Sequence, residues 1–99
     1  MSALRWTVFA KADLDNLWFH IAQGNVKAAD EYLSGLELAA LRHAATPEMG
    51  RHEPELSERL ADSIRSFRFR NHRLYYALRP DEVRVIRILH VRQDRDANM

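Results

Sequence analysis

Residues Leu4 to Phe9 alternate, with Leu4, Trp6 and Val8 against Arg5, Thr7 and Phe9, a period of two in aromatic and β-branched residues that predicts a first strand. From Lys11 the period lengthens. Leu14, Leu17, Trp18 and Ile21 recur at helical spacing, with Asp13 and Asp15 near the positive N-terminal end, so a helix is expected to run from Lys11 until Gly24. Burying those side chains at roughly 1.5 to 3 kcal/mol each supplies on the order of 6 to 12 kcal/mol before entropy, enough to pin the helix to a sheet. Asn25 fits the N-cap of a second helix, whose Ala29, Tyr32, Leu33, Leu36 and Ala40 repeat at helical spacing until Thr46-Pro47 stops it. The Gly24-Asn25 connection is so short that the helices must double back as an antiparallel hairpin. Gly35 inside the second helix costs about 1 kcal/mol relative to alanine, and a close approach of the two helix backbones is the simplest compensation.

Pro47, Gly50 and Pro54 among alternating charges mark Thr46 to Glu58 as a loop, with Gly50 serving a turn. The period of two then returns in Ser63 to Phe67, His72 to Arg79 and Val83 to Val91, read as antiparallel strands joined by short turns, one of them at Pro80-Asp81. On the middle one, Leu74, Tyr76 and Leu78 face one way and Arg73, Tyr75, Ala77 and Arg79 the other. The last is apolar on both faces, as a central strand is. Trp6, Trp18 and Tyr32 fall on the apolar phase of their elements and are expected in the core. The polar tail from Gln93 to Met99 reads as frayed. The pattern predicts an α+β fold: an N-terminal strand, then an antiparallel two-helix hairpin packed on a small antiparallel sheet, all in one domain spanning residues 1–99.

Composition narrows the class. With 46% hydrophobic residues and only three glycines and three prolines, the chain is expected to be an ordered globule, and no apolar run approaches the roughly 18 residues of a membrane span. Its first residues lack the order of a secretory signal, and zero cysteines agree with a reducing compartment, so a cytoplasmic protein is expected. Zero cysteines also exclude disulfides, thiolate nucleophiles and cysteine metal sites.

Charge is divided unevenly. Residues 1–50 carry four basic residues and six acids, whereas residues 51–99 carry eleven and eight. Between Ser63 and Arg92 eight arginines stand against Asp81 and Glu82, a local balance of +6 in a chain whose total is +1. Arginine is the residue whose planar fork suits phosphate or carboxylate, so the strand-rich part reads as a surface for an anionic partner. Arg51, Arg65, Arg70, Arg73, Arg87, His90 and Arg92 are the candidates for binding that partner, although Arg51 also fits as a loop anchor for Glu53 or Glu55. The five histidines are scattered without ligand spacing, so neither a metal nor a cofactor is expected. No helix is basic enough to read a DNA groove.

The order of elements and several local motifs together resemble the RelE/ParE toxin superfamily, and the ParE-type toxins of bacterial type II toxin-antitoxin pairs within it. The motifs are Ala12-Asp13-Leu14 opening the first helix, Ile21-Ala22 near its end, Pro47-Glu48-Met49-Gly50-Arg51 before the sheet, Ile64-Arg65-Ser66-Phe67, Tyr75-Tyr76, and the ending Arg87-Ile88-Leu89-His90-Val91-Arg92-Gln93-Asp94. A departure is Val91, where many relatives carry glycine and where valine disfavours positive φ. The resemblance implies a toxin held inactive by a cognate antitoxin, DNA binding placed on the antitoxin, and inhibition of DNA gyrase without hydrolysis by the toxin. RelE relatives instead cleave mRNA in the ribosome, and in that alternative Arg65, His90 and Arg92 are the catalytic candidates, with His90 as base or acid. Both lysines, Lys11 and Lys27, lie in the helical half, and no tyrosine follows the last strand. The chain thus lacks the lysine cluster and C-terminal tyrosine of RelE-type catalysis and looks more like ParE.

Overall fold

The computed structural model describes residues 3–92. Along the chain these form β1 (Ala3–Trp6), α1 (Val8–Ala22), α2 (Val26–Ala45), a turn of 3-10 helix (Pro47–Met49), β2 (Arg51–His52), α3 (Pro54–Leu60), β3 (Ile64–Phe69), β4 (His72–Leu78) and β5 (Glu82–His90). The strands make one five-stranded sheet in the order β1-β5-β4-β3-β2. The expected α+β fold, with its N-terminal strand and helix hairpin, is present. The sheet is mixed, because β1 lies parallel to β5 while the other pairs are antiparallel. The whole intervening chain, not a tight turn, makes that parallel connection.

The first strand ends at Trp6 and α1 begins at Val8, before the expected Lys11. Thr7 sets the boundary: its hydroxyl accepts from the Ala10 N–H at 3.1 Å as an N-cap and donates to the Ile86 carbonyl at 3.1 Å. Alternation misreads the junction because Val8 and Phe9, 79% and 70% exposed, belong to neither core pattern. The second helix starts and stops as expected, with the Asn25 side chain accepting from the Ala28 N–H at 3.0 Å.

Thr46 to Glu58 is not simply a loop. It holds the 3-10 turn, β2 and most of α3, a short helix with Pro54 in its first turn and the left-handed Ala61 (φ 52°) at its end. The Ser57 hydroxyl ties α3 to the sheet, accepting from the Ile64 N–H at 2.9 Å and donating to the Ile64 carbonyl at 3.3 Å.

The helix hairpin covers one face of the sheet. Phe67 stacks on His43 of α2, with ring centroids 3.8 Å apart and an 8° interplanar angle. Leu36, Leu74, Tyr76, Val83 and Val85 are at most 1% exposed in the core between the layers. Gly35 answers to the sheet rather than to the other helix, because a Cβ there would stand 2.8 Å from Phe69 Cζ. Trp6 and Tyr32 pack partly buried against the core, but Trp18 lies outside it, its indole N–H donating to Asp30 of α2 at 2.8 Å.

The apolar residues on both phases of β5 have a specific cause. Val83 and Val85 oppose Leu78 and Tyr76, but Ile88 and His90 oppose Leu74 and His72, with the register shifting between Tyr75 and Tyr76. One extra residue at Ile86 therefore moves the hairpin-facing set from odd to even positions.

Candidate functional site

Phe67 and Phe69 point toward the hairpin, so strand alternation sends Ser66 and Arg68 to the opposite face. On β4 the same alternation puts Arg73, Tyr75 and Ala77 there. Ser66, Tyr75 and Ala77 are nonetheless only 0%, 5% and 2% exposed. A polar network lies around them. The Ser66 hydroxyl donates to Glu53 at 2.6 Å and accepts from Arg73 at 3.1 Å, while Arg51 approaches the same Glu53 carboxylate at 2.8 Å.

Cross-strand register then stacks like charges. Arg68 stands directly opposite Arg73, and Arg5 directly opposite Arg84. Such pairs repel. Glu82 relieves the second, lying 3.4 Å from Arg5 and 2.7 Å from Arg84. Arg68 instead donates from Nε to the Arg70 carbonyl at 2.7 Å.

The fold also neutralises part of the charge that the sequence displays. Asp62 pairs with Arg79 at 2.8 Å. Asp13 of α1 accepts from Arg87 Nε at 2.8 Å and Nη2 at 3.2 Å, and from the Ile88 backbone N–H at 2.8 Å. This hydrogen bonding holds the Arg87 guanidinium above its ordinary range. β1 pairs with β5 only as far as Val85, and beyond it Thr7 and Asp13 cover the strand edge.

The sequence candidates therefore divide. Arg51 and Arg73 share the network on the face opposite the hairpin. Arg65 faces the other way and donates to the Gly50 carbonyl at 2.8 Å and the Glu48 carbonyl at 3.3 Å. Arg87 is held at the β5 edge by Asp13. Arg70 and His90 line a cavity between the hairpin and the β3–β4 turn. Arg92 follows β5, its backbone N–H donating to His90 Nδ1 at 3.1 Å. Val91 sits without positive φ and donates to the Asn71 carbonyl at 2.8 Å.

Arg65 and His90 do not converge. Arg65 opposes Tyr76 and His90 opposes His72, so four positions of β4 separate them, about 13 Å at roughly 3.3 Å per residue. His90 instead meets His72 edge-on, with ring centroids 5.2 Å apart. Burial, then His90 and His20, lowers the pKa of His72. Sequence reasoning counted Arg68 and Arg84 in the basic stretch without singling them out, and it missed Arg5 as a member of the arginine face and His72 and His20 as neighbours of His90. Only the strand register and the helix position bring these together. Chemically, the arginine face offers forked guanidinium donors, with Ser66, Glu53 and Glu82 tied in among them.

A family model described as "ParE toxin of type II toxin-antitoxin system, parDE" matches residues 4–95. Among solved structures, the chain is similar to one titled "Chromosomal ParDE TA system from P. aeruginosa", with TM-score 0.71 and 18% identity over 91% of this chain and 96% of that one. No curated protein matches.

Proposed function

Since this chain belongs to the family of ParE toxins of type II toxin-antitoxin systems, we propose that it inhibits DNA gyrase in the cytoplasm and is neutralised by a cognate antitoxin. The family match over residues 4–95 carries this reading. Inhibition proceeds by binding rather than turnover. Supporting this, Arg65 is engaged by the Glu48 and Gly50 carbonyls, far along the sheet from His90, so the groups needed for RNA cleavage do not meet. That separation also disfavours the ribosome-dependent mRNA endonuclease reading.

The antitoxin contributes an acidic segment that crosses the arginine face, where Arg51, Arg68, Arg73 and Arg84 meet it. Arg65, Arg70, Arg87, His90 and Arg92 extend the binding surface around the sheet toward the hairpin. DNA binding by the complex belongs to the antitoxin. The test is a supercoiling assay with purified toxin and gyrase. Supercoiling should fall as toxin is added and recover with antitoxin, and unimpaired supercoiling at saturating toxin removes the proposal.

A further inference from the structure

A cavity of about 430 Å³ lies between the helix hairpin and the β3–β4 turn, in the size range of small-ligand sites. Its polar wall is made by His20 of α1, His72 of β4, His90 of β5 and the turn residues Arg70 and Asn71. The rest of the lining is largely apolar, with Leu17, Ile21, Ala28 and Tyr32, and Glu31 supplies a carboxylate. A second groove of about 370 Å³ shares His20, His72 and His90, so the imidazoles stand where the two spaces adjoin. The three histidines do not form a metal centre: among the described residues no group of three His, Asp or Glu side chains is placed to hold a metal ion.

The backbone is distorted at this place. Arg70 has φ of 52°, left-handed in a turn where glycine or asparagine is at ease, and Asn71 stands next to it without positive φ. The strain presents the Arg70 guanidinium 5.7 Å from the Tyr32 ring centroid and 5.5 Å from that of Phe69. Among the described residues no carboxylate pairs with it. Backbone strain of this kind gathers at ligand sites because the geometry it enforces is useful there. The Tyr32 hydroxyl secures the floor, lying 2.7 Å from His72 Nδ1 and accepting from the Asn71 N–H at 3.3 Å.

We propose that this cavity binds a phosphate-bearing ligand of the nucleotide class. Arg70, with the imidazoles of His72, His90 and His20, meets the phosphoryl oxygens. Leu17, Ile21 and the Tyr32 ring receive the base, and the Glu31 carboxylate accepts from sugar hydroxyls. A single phosphate contacted by a guanidinium, planar donors and a nearby carboxylate for the sugar is the chemistry by which nucleotides are distinguished from free phosphate. The assignment shares Arg70 and His90 with the binding surface proposed above but does not depend on which macromolecule the arginine face meets.

The test is an NMR titration of the full chain with adenosine monophosphate and, separately, inorganic phosphate. Saturable shifts at Tyr32, Asn71 and His72 are expected with the nucleotide, with inorganic phosphate at least about tenfold weaker. Arg70→Gly keeps a residue suited to positive φ, so the turn survives while the guanidinium is lost, and nucleotide affinity should fall about tenfold or more. Glu31→Gln should weaken the nucleotide and leave inorganic phosphate unchanged. The proposal is overturned if neither ligand shifts these residues, if both bind equally well, or if folded Arg70→Gly binds the nucleotide as tightly as the parent.

Discussion

Replacing Gly50 by alanine tests how the segment before the sheet is held. Gly50 has φ of −72° and ψ of 160°, a conformation open to any residue, so backbone freedom does not explain the glycine. Space does. A Cβ at Gly50 would overlap the Tyr76 hydroxyl, stand 2.9 Å from Tyr76 Cζ and lie 3.0 Å from the Ser66 carbonyl oxygen. Tyr76 is 0% exposed and donates to the Pro47 carbonyl at 2.6 Å, so its ring has nowhere to retreat without breaking that bond. Overpacking of this kind costs about 1–3 kcal/mol, and stranding a buried hydroxyl adds about 1–3 kcal/mol, so Gly50→Ala should destabilise the fold by about 2–6 kcal/mol. For a domain of this size that lowers the Tm by on the order of 10 °C or more. Tyr76→Phe alone should cost about 1–2 kcal/mol through the lost hydrogen bond. The double variant, measured by urea denaturation followed by tryptophan fluorescence, should cost about 1–2 kcal/mol less than the sum of the singles, because removing the hydroxyl opens the space that the methyl needs. Additive costs, or a Gly50→Ala cost below about 0.5 kcal/mol, would refute the close-approach explanation.

Asp13→Asn should cost about 1.5–3 kcal/mol, because it weakens a charge-assisted bond to the Ile88 N–H and leaves Arg87 without its counter-ion; faster amide exchange at Ile88 checks that the β5 edge is where the loss falls. Burial favours the neutral imidazole of His72 in the folded state and lowers its pKa, so the unfolded chain takes up the proton first. Stability should therefore be full above about pH 6.5 and decline as pH falls from there toward the folded-state pKa, and His72→Gln should flatten that decline in chemical denaturation. Antitoxin affinity, measured by calorimetry across a salt series, should fall as salt rises if Arg68, Arg73 and Arg84 carry the contact; a salt-independent affinity points to an apolar interface instead.

Much of the fold is legible where one residue dominates one decision. Asn25 caps α2, the Gly24-Asn25 pair forces the hairpin, and the phase of Leu74 and Tyr76 marks the core side of β4. Arg51 pairs with Glu53 as its spacing suggested. What escapes depends on partners distant in sequence. Thr7 ends β1 early because its hydroxyl reaches the Ile86 carbonyl, and no local pattern carries that contact. α3 is short and needs Ser57 to meet Ile64, so its charges and Pro54 read as loop. The bulge at Ile86 imitates a strand buried on both faces, since a change of phase and a doubly apolar strand leave the same residues in the chain. The arginine cluster was visible as charge, but its division between two faces was not. That division follows from strand alternation combined with acids such as Asp13 and Asp62, which lie outside the counted stretch.

The parallel pairing of β1 with β5 also governs the order in which the molecule can be completed. Leu4 meets Val83, and Thr7 reaches Ile86 across a separation of 79 residues, so the first-made strand has no partner until the last-made one exists. Closing so long a loop brings no reward until both ends are present, which makes this a late and non-local step in folding. On the ribosome, β1 and the start of α1 must wait with their apolar side chains unpaired while the rest of the chain emerges. A nascent chain cut short before Glu82 lacks the strand that β1, Thr7 and Asp13 dock against, so premature termination leaves only β2, β3 and β4 able to pair in the native order while β1 has no neighbour.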